Sequence, residues 1–286
     1  MKLKDRYALT GVCFTLPFLA GFALLYLIPF VWSVQKTFTA GMGGGRFVGL
    51  WNYVELFRSA AFRLAAGNTF RFIAIGVPLL MALSFLLALV LYRKFRGVSF
   101  FRSAFLMPMV IPVAAVVTVV QALFENSGLM NQLLEALGLP AQNWLDSSLA
   151  FPVLILLYIW KNCGYNMVLF LAGLSAIPSD FADAALCDGA SESYILRHIT
   201  LPLMIPNFFF VFVISVINAF KSFREAYLLG GETPHDSIYM LQHFMNNNFA
   251  NLNYPRLSTA ALLIFAVIFL LVLLLFRVKR KHEVIL

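Results

Sequence analysis

"DAALCDGASESYILRHITLPL", Asp183 to Leu203, is small, acidic and polar, yet it lies between apolar runs in a chain that is 61% apolar. A stretch this polar does not cross lipid, so it must be a loop, and its two flanks must be separate spans. Leu149 to Ala172 and Leu203 to Phe223 each supply the about 20 apolar residues that a helix needs to cross a bilayer. The stretch also encodes its own helix ends. Pro178 with Ser179 or Asp180 predicts a start, and Asp183 is expected in the first turn, where the helix dipole favours a negative charge. Ala184 and Ala185 favour helix and leave a low surface. Gly189 predicts a left-handed stop, and Ser191 with Glu192 a second start. Leu201-Pro202 leads into the next span. The expectation is a helix–turn–helix elbow tied at both ends to membrane helices, although an ordinary well-capped loop has the same pattern.

Outward from the elbow, the whole chain repeats this alternation. Six apolar stretches are long enough to span: Ala8 to Trp32, Phe70 to Leu91, Ala104 to Phe124, Leu149 to Ala172, Leu203 to Phe223 and Thr259 to Phe276. Charged residues make up 12% of the 286, against about 25% in a soluble domain, and phenylalanine occurs 30 times. Unbroken apolar runs choose helices over a barrel, so the fold class is an all-α polytopic membrane protein with six transmembrane helices. The first run is too long for a signal core and no small-residue cleavage site closes it, which predicts an uncleaved span.

The net charge of +8 comes from short clusters beside apolar runs: Lys2 to Arg6, Arg93 to Arg96 and Arg277 to Lys281. That placement fits the positive-inside rule and anionic lipid rather than nucleic acid. With six spans, the bias puts both termini and the Asp183 elbow in the cytoplasm. Cys13, Cys163 and Cys187 have no paired spacing and read as small fillers. GxxxxGK[ST] is absent, and "GMGGG" at Gly41 to Gly45 reads as a flexible extracytoplasmic loop. Glu125 and Glu225 are expected at span ends, so no carboxylate is expected inside a span, which weighs against an ion-driven carrier. His235 and His243 share a loop with Glu232 and Asp236, but Pro234 breaks any helix that would align them as metal ligands.

Span four carries a polar interruption, "YIWKNCGYN", Tyr158 to Asn166. A Lys, two Asn and a Gly facing lipid would be costly, so they are expected to face the bundle or a wet cavity. Trp160 and Tyr165 offer flat faces suited to sugar rings. Span five carries Ser215, Asn218, Lys221 and Ser222, and 215, 218 and 222 share one helical face. Two roles stand for these side chains: hydrogen-bonded glue between helices, or contact with a substrate. Lys161 in addition could meet an acidic substrate group.

"LAGLSAIPSDFADAALCDGASESYILRHITLPLM" resembles the EAA loop of binding-protein-dependent ABC importer permeases. The matching positions are Leu174, Ile177, Pro178, Ala184, Ala185, Asp188, Gly189, Ala190, Ile199, Leu201 and Pro202. Asp183 stands where that family usually has Glu. "FVGLWNYVELF", "NTFRF", "FRSAFLMPMVIP" and "YLLGGETPHDSIYMLQHFMNNNFANLNYPRLSTA" resemble the carbohydrate branch of the same family, whose usual G-G-P is here Gly230-Gly231-Glu232-Thr233-Pro234.

The resemblance implies a type I permease bundle, with residues 1–67 as an N-terminal span and extracytoplasmic loop. Residues 68–282 would be the transmembrane domain, carrying a cytoplasmic coupling loop at 174–202. It implies ATPase coupling through the 177–202 loop, at Asp183, Ala184, Ala185, Asp188, Gly189, Ala190 and Pro202. The sugar pathway it implies is Tyr158, Trp160, Lys161, Asn162, Ser215, Asn218, Lys221 and Ser222. The implied partners are a second, similar but non-identical permease, two ATP-binding cassette subunits and an extracytoplasmic solute-binding protein, with a carbohydrate as cargo. The chain itself would bind no cofactor, ATP and magnesium being held by the ATPases, and would sit in a bacterial cytoplasmic membrane. The competing class is an ion-coupled carrier or channel working without ATPase subunits; no nucleophile–base pair makes a case for an enzyme.

Overall fold

A computed structural model of the chain describes residues 3–41, 45–93 and 96–283, with the side chains of 3–10, 221, 274–276 and 278–283 excepted. Lys2 of the N-terminal cluster, Met42 to Gly44 of the glycine run, and Lys94 and Phe95 of the second cluster lie outside the described residues. Among the described residues, six helical segments are long and apolar enough to cross a membrane: Gly11–Lys36, Ala60–Tyr92, Val113–Ala136, Ala150–Ser175, Ile205–Gly230 and Tyr254–Leu273. The chain divides into two compact units, Met1–Phe62 with Met245–Leu270, and Arg63–Phe244 with Leu271–Leu286.

In the first unit, span one shows no buried residue within its apolar window. Past its end, Thr39 and Phe47 form an antiparallel bridge, and Asn52 Nδ2 donates to the carbonyls of Thr37 and Thr39 at 2.8 and 3.0 Å. The Asn of the "GLWNY" stretch is therefore a loop fastener, satisfying backbone acceptors that the turn leaves free. Arg256 pairs with Glu55 at 3.0 Å in the same unit.

The second unit holds the core that positions the site. Spans two, four and five pack through two clusters of buried side chains. One is built around Phe72, Leu80, Leu154, Tyr158 and Val216, the other around Phe85, Met167, Phe170, Leu174 and Val211. Phe85, Phe170 and Phe208 form an aromatic triangle with ring centroids 4.7 to 5.3 Å apart. Lipid tails are as apolar as these rings, so shape-matched van der Waals packing, not exclusion from water, holds the spans together.

The expected third span, Ala104 to Phe124, is broken. Helices Val98–Val110 and Val113–Phe124 are separated at Ile111 and Pro112, both extended. Pro112 has no N–H to continue the ladder, and its ring drives the residue before it out of the α region. Apolarity alone hid this break. Span four, by contrast, runs without a break from Ala150 to Ser175, so its polar interruption is one of composition and not of backbone. Gly164 explains part of that interruption: a Cβ there would collide with the Phe105 carbonyl, so the bare backbone lets helix Val98–Val110 cross at close range.

The fifth segment also departs from expectation. Its α-helix is interrupted at Ser222 (φ −67°, ψ 0°) and resumes over Phe223–Gly230, ending at Gly231 with φ +70°. Glu225 is therefore inside the segment and buried, not at its end. Beyond it, the stretch read only as a loop contains helix Leu241–Ala250.

Candidate functional site

The elbow folds as two helices about Gly189. Its first helix spans Ser179–Cys187 behind Pro178, which occupies the cap position; no side chain caps it, contrary to the expectation for Ser179 or Asp180. The first-turn acid is Asp180, and Asp183 lies in the second turn, exposed. Proline at the cap moved the helix start to Ser179, which shifts Asp183 one turn away from the helix pole. The C-terminal end follows the sequence. Gly189 takes φ +81°, its N–H donates to the Leu186 carbonyl at 3.0 Å, and that of Ala190 donates to Ala185 at 2.9 Å. These two bonds close the last turn in the Schellman arrangement, which needs a left-handed residue after the cap.

Ser191 then caps the second helix, its Oγ accepting from the Tyr194 N–H at 3.3 Å. That helix, Glu192–Ile195, passes through a π turn at Leu196–Thr200 into Leu201–Leu203 and span five. The wide turn precedes Pro202, whose missing N–H and ring displace the normal i to i−4 bond. A stiff, nearly continuous rod thus links the elbow tip to span five.

Both feet of the elbow are seated in the second core cluster, through Leu174 and Ile177 on one side and Leu201 and Met204 on the other. At the base, Asn207 Nδ2 donates to the Leu169 carbonyl at 3.1 Å, and a Cβ on Gly173 would come within 2.5 Å of the Asn207 side chain. The tip is the opposite in character. Phe181, Leu186 and Tyr194 are each 52% exposed, and an open groove of about 510 Å³ runs along Ala185, Asp188, Gly189, Ala190, Ser191 and Tyr194. Rings and a leucine left bare on a polar loop mark a contact surface more than a solvated one.

The second group of expected residues lies between spans four and five, where it separates into three. Tyr158 donates its hydroxyl proton to the Ser215 carbonyl at 2.8 Å, while Ser215 Oγ accepts from Asn166 at 2.7 Å and donates to the Val211 carbonyl. Tyr158 and Ser215 are fully buried and act as interhelical glue. Lys161, Asn162, Asn218 and Ser222 instead line a cavity of about 340 Å³ together with Met109, Arg224 and Glu225. Trp160, half-exposed, is not part of that lining, and the side chain of Lys221 lies outside the described residues.

Lys161 does not stand free: it forms a short ion pair with Glu225 Oε1, the two side chains being 16% and 7% exposed. Sequence reasoning did not place Glu225 or Arg224 at the cavity, whereas Asn166 faces the bundle as expected, bonded to Ser215. A signal for Glu225 existed, because 218, 222 and 225 continue one helical face once the span is extended past Phe223. Among the described residues, no group of three or more His, Cys, Asp or Glu is placed to hold a metal.

Six apolar segments, a bundle holding a polar cavity and an exposed elbow between spans four and five define the membrane subunit of a transporter. The chain belongs to the family of binding-protein-dependent transport system inner membrane components, whose model matches residues 74–281. It is 31% identical to the probable ABC transporter permease protein YesP of Bacillus subtilis over 96% of this chain and 91% of that one. It is likewise 31% identical to the trehalose/maltose transport system permease protein MalF of Thermococcus litoralis, covering 82% of this chain and 81% of that protein. In structure it is similar to a chain of the bacterial alginate ABC transporter in complex with alginate pentasaccharide-bound periplasmic protein. That likeness has a TM-score of 0.85 at 21% identity and covers 98% and 96% of the two chains.

Proposed function

We propose that this permease is one half of an ATP-driven carbohydrate importer. The observation that carries the reading is the elbow: an exposed apolar tip at Phe181, Leu186 and Tyr194, on a stiff base rooted in the core that joins spans two, four and five. A cytoplasmic ATPase closing on ATP would grip Asp183, Ala184, Ala185, Asp188, Gly189 and Ala190, and the rod through Pro202 would pass the movement to span five. Energy comes from the ATPase pair, which holds ATP and magnesium; this chain binds no cofactor. A second, non-identical permease completes the pathway, and an extracytoplasmic binding protein delivers the cargo. Both termini face the cytoplasm of a bacterial inner membrane, as the placement of Lys and Arg supports. The named sugar relative, a trehalose/maltose permease, supports carbohydrate as the cargo class. Asn162, Asn218 and Ser222 supply the hydroxyl-bonding groups such a cargo needs.

Co-purification in mild detergent tests this. A tag on this chain is expected to recover a second permease and two ATPase copies, and substrate-loaded binding protein is expected to stimulate ATP hydrolysis. Recovery as a transport-competent homomer without an ATPase would overturn it in favour of an ion-driven carrier.

A further inference from the structure

The loop between spans three and four holds a helix, Leu129–Ala136, whose apolar face is left bare. Only Glu125 to Gly128 separate it from helix Val113–Phe124, and the chain folds back there instead of running on. A Cβ on Gly128 would come within 2.6 Å of the Leu123 carbonyl oxygen and 2.9 Å of that of Ala122. Asn131 fastens the helix in place. Its Nδ2 donates to the Asn126 and Gln142 carbonyls at 3.0 and 2.9 Å, and its Oδ1 accepts from the Gln142 N–H and the Trp144 indole, both at 2.9 Å. Trp144 in turn packs edge-on against Phe124, with ring centroids 5.6 Å apart. These contacts pin the helix at the level where the apolar span gives way to Glu125, Asn126 and Ser127. Tryptophan is enriched at that membrane–water boundary.

At 3.6 residues per turn, Leu129, Leu133 and Leu137 fall within about 80° of one another, with Asn131 and Glu135 on the opposite side. Asn131 is buried against the loop, so the leucines point away from it. Each of the three, and Leu139 just beyond, is more than half exposed. We infer that this face lies in the lipid surface, as an interfacial anchor that holds the end of span three at the boundary. Depth and composition choose lipid over a protein partner. The row sits at headgroup level, and it is purely aliphatic, without the Trp, Tyr or Arg that dominate protein interfaces. Residues 125–148 carry no Lys or Arg, but three exposed acids, Glu125, Glu135 and Asp146. The anchor therefore works through apolar burial alone and needs no anionic headgroup, unlike the usual basic interfacial helix. In the orientation proposed above, it lies in the extracytoplasmic leaflet. The inference is independent of the cargo.

The test places the full chain, with its co-purified subunits, in phosphatidylcholine nanodiscs. Exposed cysteines, Cys13 and Cys187 of this chain among them, are replaced by Ser, and a nitroxide is attached at Leu133→Cys, Leu137→Cys or Glu135→Cys. Spin-label collisions are read with oxygen, which concentrates in lipid, and with a nickel chelate, which stays in water. Relative to the label at 135, those at 133 and 137 are expected to favour oxygen over the chelate severalfold, with or without added anionic lipid. Thermal melting reports that each labelled protein is folded, and two positions on the face guard against one label disturbing it. Chelate-dominated collisions at 133 and 137 would place the face in water. Shielding from both reagents would place it against a protein, and a preference for oxygen that needs anionic lipid would make the contact electrostatic. Each of these results overturns the inference and leaves the importer reading standing.

Discussion

Lys161 of span four and Glu225 of the fifth segment form a buried ion pair that ties the two spans joined by the elbow. The pair puts a carboxylate where the sequence pattern indicated none. Lys161 neutralises it, so Glu225 is a paired carboxylate and not a lone one. Removing one partner leaves the other charge buried and uncompensated, at a cost of about 3–5 kcal/mol, whereas replacing both with apolar residues of similar size is often neutral. Lys161→Met alone is expected to lower the melting temperature of the detergent-solubilised chain sharply. Lys161→Met with Glu225→Leu is expected to recover most of the loss. Equal melting of the single and double variants would contradict the pairing.

Gly164 makes a harder prediction, because its neighbour is backbone and cannot rotate away. A methyl group there collides with the Phe105 carbonyl, so helix Val98–Val110 must move off span four or bend. Overpacking of this kind costs typically about 1–3 kcal/mol, and more where the obstacle is main chain. Gly164→Ala is expected to reduce folded yield and melting temperature. Gly67→Ala, where nothing lies within 4 Å of the added carbon, is the control and is expected to be neutral.

Much of this architecture was legible because lipid imposes a simple rule: backbone groups must be satisfied internally, so long apolar runs become helices. The elbow turn was legible for a different reason. Gly189 and Ser191 act through local backbone chemistry, and both adopt the expected conformations. What failed was whatever depends on tertiary neighbours or on a proline's exact reach. Pro112 cut a span that composition joined, and Pro178 moved the first elbow helix so that Asp180, not Asp183, sits at its pole. The polar face of spans four and five was found, but not its division. Tyr158 donates to span five and Ser215 accepts from span four, while Asn162 and Asn218 line the cavity, and only the packed register separates the two.

Gly189 isolates backbone geometry from sterics. An added Cβ meets nothing of this chain within 4 Å, so within the elbow a substitution there acts through the backbone, whose φ is +81°. Asn tolerates the left-handed region and is expected to preserve the turn. Pro locks φ near −65° and removes the N–H that bonds the Leu186 carbonyl, so it must open the turn. In the assembled importer, Gly189→Asn is expected to keep substrate-stimulated ATP hydrolysis near wild type and Gly189→Pro to lose it, with ATPase recovery falling in parallel. Full stimulation in Gly189→Pro would remove the elbow from the coupling route.

His243 lies outside the spans, at the start of helix Leu241–Ala250, nearly inaccessible to solvent among Phe223, Tyr227 and Tyr239. Burial lowers its pKa to about 4 from the usual 6.5. Its Nδ1 accepts from the Met240 N–H at 3.2 Å, so a proton on Nδ1 would face a donor, and a positive charge would also oppose the helix dipole. Between these two values the unfolded segment binds more protons than the folded one, so stability rises with pH. The contribution is fully present above about pH 6.5, is reduced by roughly 2 kcal/mol at pH 5, and falls further until about pH 4. Hydrogen exchange across residues 236–250 is therefore expected to speed up as the pH drops from 7 to 5, after correction for intrinsic rates. In His243→Gln, whose side chain keeps an acceptor and does not titrate, that acceleration is expected to vanish. Persistence of the same pH dependence in the variant would assign it to another group.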